Sequence, residues 1–273
     1  MQAYSAWTPP TGTLGAIVAE ARDRAALLKP NRAELAESAA SVAASPSMAA
    51  ALQRDTVAVI AEVKRRSPSK GWINPAISAT DQARSYEMGG AAAVSILTEP
   101  AHFGGSVSDL VAVRDTVLIP VLKKDFHVDP IQLVEAKALG ASAALLIARA
   151  LSPDALIEMV DVARQWSLEV IVEIRDDDEL TRALDAGAAI IGINNRNLET
   201  LAIDPATSER LLTQIPANVV AIAESGVQSR ADVERIATCG ADAVLVGSVL
   251  SASEDPMQAV RRLTGVPRTS RGR

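Results

Sequence analysis

Cysteine and histidine are scarce in this chain. Its 273 residues include one cysteine, Cys239, and two histidines, His102 and His127. A single cysteine excludes an internal disulfide framework and leaves no thiolate cluster for a metal. Two histidines argue against a multi-histidine metal centre, so the sequence assigns no metal and no cofactor. No apolar run approaches the length that spans a bilayer. The N-terminus has no basic segment followed by a long apolar stretch, because Glu20, Arg22, Asp23 and Arg24 interrupt its first helix-like region. Lys and Arg are scattered in a chain of formal net charge −6, which counts against a nucleic-acid surface but leaves room for a small basic pocket holding an anionic metabolite. The expectation is a soluble protein of a reducing, cytoplasmic compartment. No nucleic-acid, membrane or obligate protein partner is expected.

What the chain does have is apolar surface and a period. Apolar residues make up 48% and charged residues 22%, enough for a substantial core and too apolar for disorder. The phrase Gly-Ala-x-apolar occurs at Gly90–Ala93, Gly140–Ala143, Gly187–Ile190 and Gly240–Ala243. The copies lie roughly 50 residues apart, about two βα units. Glycine there suits the left-handed end of a helix, and the apolar run that follows suits a strand buried on both faces.

Eight short apolar segments read as strands: Val57–Val63, Ala92–Leu97, Ile119–Leu122, Ala143–Ile147, Glu169–Ile174, Ile190–Ile193, Val219–Ala223 and Ala243–Val246. Helical stretches separate most of them, among them Pro130–Leu139, Pro153–Gln165, Asp178–Ala186, Pro205–Thr213 and Arg230–Thr238. Asp129-Pro130, Ser152-Pro153, Asp204-Pro205 and Asp255-Pro256 each put a capping residue before a proline at the first helical position. This alternation predicts an α/β protein, a (β/α)8 barrel. A doubly wound sheet is the alternative, against which no Gly-x-Gly-x-x-Gly follows the first strand. Residues 1–55 differ. Leu14, Ile17, Val18, Ala21, Ala25 and Leu28 fall at helical spacing, predicting an N-terminal helical extension packed on a single domain of residues 1–273. The last residues, 266–273, read as a disordered tail.

In a barrel the C-terminal strand ends share one face, where active sites are built. Those ends carry Glu62 and Lys64; Thr98 and Glu99; Lys123, Lys124 and Asp125; Arg149; Glu173 and Arg175; Asn194, Asn195 and Arg196; Glu224 and Ser225; Gly247 and Ser248. The residues entering the strands are mostly Gly, Ala, Pro and Val. Burying this much charge at one rim is costly without a function. Glu62 and Lys64 are two apart and share a face. Of Lys123 and Lys124, one should point into the barrel and one into the wall or solvent. A lysine near other cations has a lowered pKa, so Lys124 is open to two roles, general acid or Schiff-base amine. Asp125 is expected to orient it or to cap the next helix, and His127 to be an incidental loop residue. The segment Ser67–Gly71 suits a loop that closes on a ligand. Ser225-Gly226 and Gly247-Ser248, after strands seven and eight, suit a phosphate. Cys239 precedes strand eight, at the far end, and is no catalytic thiol.

Several of these segments together resemble indole-3-glycerol phosphate synthase: IAEVKRRSPSKG (60–71), SILTEPAHFGGS (95–106), VLKKDF (121–126), VEI (172–174), IGINNRNLET (191–200), AESG (223–226) and LVGS (245–248). The resemblance covers nearly the whole chain before Val266, extension included. It implies ring closure of 1-(2-carboxyphenylamino)-1-deoxyribulose 5-phosphate to indole-3-glycerol phosphate, with loss of carbon dioxide and water, in tryptophan biosynthesis. It also implies Lys124 as general acid, Lys64 as the partner of the substrate carboxylate, and Glu62 and Glu173 as proton-handling carboxylates. Asn194 and Arg196 would orient the substrate, Ser67 and Phe126 line its anthranilate end, and Glu224 complete the polar network near the sugar. Ser225, Gly226, Gly247 and Ser248 would hold the phosphate. Residues Trp72 to Ala79, less acidic and less proline-rich, and His102, where an aromatic is commoner, depart from the family's pattern.

Two other readings stay open. One is a related phosphate-binding barrel that isomerises its substrate or forms a Schiff base. The pathway's preceding isomerase would need a cysteine at a strand end, which this chain does not have. The other is a silent barrel that only binds a phosphorylated ligand or a partner, and such a barrel should have lost some of the rim residues present here.

Overall fold

Runs of small and β-branched residues pair side by side in the computed structural model, which describes residues 7–271. The strands are β1 (Ala58–Val63), β2 (Ala93–Leu97), β3 (Val121–Lys124), β4 (Ala143–Ile147), β5 (Glu169–Ile174), β6 (Ile190–Asn194), β7 (Val220–Glu224) and β8 (Ala243–Val246). All eight are parallel and close into a barrel, β1 pairing with both β2 and β8. Strand β3 starts two residues later than the apolar pattern predicts. Pro120 has no N–H for the ladder, so both lysines fall inside the strand. The helix expected from Pro205 begins at Ala206, with Pro205 in the capping position and Asp204 accepting from the Ala206 N–H at 3.1 Å.

Alternation divides the core in two. Val59, Ala61, Val94, Ile96, Ala144, Leu146 and Val172 point outward under the helices. Ala58, Ile60, Leu122, Leu145, Ile171, Ile222 and Leu245 point inward and fill the barrel. The repeat glycines Gly90, Gly140, Gly187 and Gly240 all have positive φ, between 76° and 95°, where a side chain would be strained. The third residue of the repeat also works in two copies. The Ser142 hydroxyl accepts from the Val121 N–H and the Asp242 carboxylate from the Ala221 N–H, each tying down the start of the preceding strand.

The N-terminal segment touches both ends of the barrel. Helix α1 (Gly12–Leu28) puts Leu14, Ile17, Val18 and Ala21 on the inner core. Helix α2 (Arg32–Ser41) lies on helix Pro130–Ala138, with Ala25, Ala39, Ile131 and Val134 in one small cluster. Helix α3 (Met48–Leu52) sits at the opposite end, where Glu169 at the start of β5 accepts from the Met48 and Ala49 N–H groups. Met1–Ala6 lie outside the described residues.

The expectation of a disordered tail is corrected for residues 266–271. Val266 is buried and its carbonyl accepts from Val57 N–H at 2.8 Å, while Pro267 bridges to Thr56. The cause is Asp242, a buried carboxylate answered by two arginines from this segment. Arg268 pairs with its Oδ1, and Arg271 with its Oδ2 at 2.7 Å. Arg271 also donates to the carbonyls of Val219 and Gly240. Gly272 and Arg273 lie outside the described residues.

Candidate active site

At the C-terminal ends of the strands lies a cavity of about 350 Å3, within the range of small-molecule sites. Every site residue named from the sequence lines it: Glu62, Lys64, Ser67, Lys124, Phe126, Glu173, Asn194, Arg196, Glu224, Ser225, Gly226, Gly247 and Ser248. Its floor is charged and one wall is apolar. Leu145, Ile147, Phe126, Phe103 and Leu198 form that wall, together with Leu14 and Ile17 from α1.

Lys124 occupies the centre. Its Nζ lies 2.8 Å from Glu224, 3.7 Å from Glu173 and 3.9 Å from Glu62. Lys64 pairs with the other oxygen of Glu62. These groups converge because β1, β3, β5 and β7 each present an inward side chain at the same height. Glycines make room for them. A Cβ at Gly247 would overlap the Glu62 carboxylate, and one at Gly192, inside β6, would overlap that of Glu224.

The lowered lysine pKa expected from neighbouring cations is corrected here. Burial does disfavour the ammonium, but Glu224, Glu173 and Glu62 outweigh it and hold Lys124 well above the ordinary lysine range. An amine must be neutral to attack a carbonyl, so this environment disfavours the Schiff-base role. Glu62 is fully buried, yet Lys64 and Lys124 overcome burial and lower its pKa. Glu173 goes the other way. Burial and then Glu224 push it up to about 7, against the pull of Lys124 and Asn194. Two carboxyls on one ammonium thus have different protonation states near neutrality, the condition for dividing acid and base work.

Opposite the apolar wall, the turns after β7 and β8 offer polar donors. Ser225 has a φ of 63° and Gly226 one of 89°. Left-handed backbone at a serine is uncommon and marks a constrained turn. Asn194 Oδ1 accepts from the Arg196 N–H at 2.9 Å, and the Arg196 guanidinium donates to the Leu201 carbonyl at 3.0 Å. The loop after β1 folds into a small antiparallel hairpin, two residues to a strand, in which Arg66 pairs with Trp72. Arg65 anchors it to Asp109, and Ser67, Pro68, Ser69 and Lys70 face the cavity. Trp72, in the departing stretch, is exposed beneath the Arg66 guanidinium at 5.6 Å. His102, the other departure, bonds Glu20 of α1 at 3.0 Å.

Other charged strand ends build the wall. Lys123 points outward to Glu135 of helix Pro130–Ala138, at 2.9 Å. Asp125 neither orients Lys124 nor caps the next helix. It accepts from Arg24 at 2.7 Å and Thr98 at 2.6 Å, and Asp129 does the capping. Glu99 caps helix Pro100–Phe103, and Asn195 bonds Ser208 and the Ser225 carbonyl. His127 is a loop residue, but a buried one. Its Nδ1 donates to the Leu145 carbonyl at 2.7 Å, and burial together with Lys123 lowers its pKa to about 3. Sequence reasoning missed Leu14, Ile17 and Gly192. The helical spacing of α1 and a glycine inside a strand were the available signals.

A family model described as indole-3-glycerol phosphate synthase matches residues 14–263. The indole-3-glycerol phosphate synthase of Kineococcus radiotolerans is 51% identical over 207 residues, 76% of this chain and 76% of that protein. Indole-3-glycerol phosphate synthase 1 of Streptomyces coelicolor is 49% identical over 230 residues, 84% of this chain and 86% of its own. Among solved structures, a thiamine phosphate pyrophosphorylase from Pyrococcus furiosus superposes with a TM-score of 0.57 at 14% identity, covering 76% of this chain and 93% of that one. That likeness concerns the barrel alone.

Proposed function

The chain belongs to the indole-3-glycerol phosphate synthase family, and we propose that its rim residues divide the chemistry of that reaction among one ammonium and three carboxylates. The enzyme is a carboxy-lyase of tryptophan biosynthesis, closing an indole ring on 1-(2-carboxyphenylamino)-1-deoxyribulose 5-phosphate with loss of carbon dioxide and water. The observation that carries the assignment of roles is Lys124, central in the cavity and within 4 Å of Glu62, Glu173 and Glu224.

In this reading Lys124 donates a proton to the ketone oxygen as the aromatic carbon attacks the carbonyl carbon. Charge that develops on the anilino nitrogen is balanced by the carboxylates, which sit in a water-poor site where such balance is strong. Lys64 holds the carboxylate that leaves as carbon dioxide. The hydroxyl made in the first step then departs as water. It takes a second proton, while a carboxylate removes one from the neighbouring methylene carbon. Glu173, poised near 7, suits that exchange, and Glu62 with its lowered pKa stays ionised beside it. Asn194 and Arg196 orient the hydroxyls and carboxylate, and Glu224 completes the network near the sugar. Ser67 and Phe126 line the anthranilate end, with α1 closing the apolar wall. Ser225, Gly226, Gly247 and Ser248 take the phosphate through backbone N–H groups and hydroxyls.

The same reading adds no nucleic-acid, membrane or obligate protein partner, and a cytoplasmic setting. It is supported by the chain's net charge of −6. Among the described residues, no helix is long and apolar enough to cross a membrane. A fluorescence assay for indole-3-glycerol phosphate with the purified protein tests the assignment. Product formation is expected. Borohydride trapping of substrate on Lys124 or Lys64 would overturn the acid role in favour of Schiff-base chemistry.

A further inference from the structure

Ring closure consumes a proton. The ketone oxygen leaves as water and so gains two protons, of which the methylene carbon supplies one. The substrate carboxylate leaves as neutral carbon dioxide and supplies none. The other proton must come from solvent in each turnover, while the substrate occupies the mouth of the main cavity.

A second cavity, of about 130 Å3, adjoins the first behind Glu173, Asn194 and Arg196, which line both. Its far side is lined by Arg175, Asp176 and Glu179. Burial falls along this line. Glu173 and Glu179 are each 4% exposed, whereas Asp176 is exposed on the surface. We propose that this side cavity carries the consumed proton from solvent to the reaction site, with Glu179 as the relay between solvent and Glu173. The inference rests on the ring-closure reading above.

The chemistry of the lining fits a proton path. The cavity has room for several waters, each of which needs roughly 10–15 Å3 of such volume and two or more polar partners. Arg175 Nε is buried without a protein hydrogen-bond partner and supplies a donor. Glu179 Oε2 accepts from the Arg175 N–H at 2.7 Å, which leaves its second oxygen to exchange a proton. Burial and Asp176 push Glu179 up to about 7, with Glu173 adding and Arg182 opposing. Burial raises relay and acceptor alike, so each can take up and release a proton near neutrality. Arg149 and Glu199, the other charged groups of the lining, pair with each other at 2.9 Å. A proton passes from water to the Glu179 carboxylate, along the water chain to Glu173, and from there to the site. Glu179 ends each cycle as it began. It acts through Glu173 and is a positioning residue.

The test compares the full-length protein with Glu179→Gln, which keeps an oxygen for the Arg175 N–H but cannot ionise. Single-turnover formation of indole product is followed across the neutral pH range, with and without imidazole. The expected result is a rate lowered by about 10-fold or more with KM unchanged. The loss deepens as pH rises, and imidazole restores the rate in the variant alone. A rate equal to wild type, or a loss indifferent to both pH and imidazole, overturns the relay. If Glu179→Gln fails to fold, Glu179→Ser, which cannot ionise either and leaves room for imidazole, is held to the same pH and imidazole criteria. Wild-type protein that makes no indole product would overturn the ring-closure reading, and the relay with it.

Discussion

Lys124 keeps its proton because three carboxylates from three other strands surround it, and this makes it a charged anchor before it is an acid. Replacing it with alanine should lower turnover by roughly 10²–10⁴-fold, the range for a positioned acid, with the circular dichroism spectrum unchanged. Wild-type turnover in Lys124→Ala would remove it from the mechanism. Glu173 offers a stability test. Its folded pKa is raised from 4.5 to about 7, so its favourable contribution is complete below about 4.5 and is lost as pH rises through 7. Glu173→Gln should therefore gain melting temperature relative to wild type as pH rises over that window. A constant difference would contradict the raised pKa. Residue identities at the rim were legible in the sequence, since the type at each strand end follows from alternation and position. The direction of the Lys124 shift was not. It depends on which strands face each other across the barrel, and Glu62, Glu173 and Glu224 are remote from Lys124 in sequence.

Two turns and one helix shape the site at the scale of elements. The turns after β7 and β8 should bind inorganic phosphate, raising the melting temperature as phosphate is added. No rise at high phosphate would count against them. Gly247→Ala should lower turnover by about 10²-fold, because the new Cβ displaces the Glu62 carboxylate and with it Lys64. Turnover near wild type would show that the carboxylate can yield. Strand and helix boundaries were largely readable from apolar runs and capping pairs such as Asp129-Pro130 and Ser152-Pro153. The place of α1 was not. Its apolar stripe announces a buried face without saying what buries it, and Leu14 and Ile17 line a cavity built by residues as distant as Leu198. The tail was misread for a related reason. Nothing near Arg268 and Arg271 in sequence shows that a buried Asp242 awaits them.

At the scale of the molecule, the described segments that flank the barrel in sequence, Leu14 to Leu52 and Val266 to Arg271, are bound to it. Replacing Arg268 and Arg271 together with alanine leaves Asp242 buried without a cation. It should cost about 3 kcal/mol of unfolding free energy, read by denaturant titration. A loss near zero would show that the segment merely rests on the surface. The repeat, the strand order and the chemical face were all legible because each follows from a period in the sequence. The clasping of these flanking segments follows none. That clasp bears on how the chain is born. Synthesis delivers α1, α2 and α3 before the barrel strands, with Leu14, Ile17, Met48 and Leu52 exposed to water before most of the surface that covers them has been made. The staves of the barrel follow in order, but β1 gains its second neighbour only when β8 arrives, and Asp242 its cations later still. The nascent chain therefore carries an unhealed seam and uncovered leucines until β8 and the segment with Arg268 and Arg271 have been made. Over that interval β1 presents an unpaired strand edge and α1 and α3 present bare apolar faces, the two features that make a partly made chain aggregation-prone.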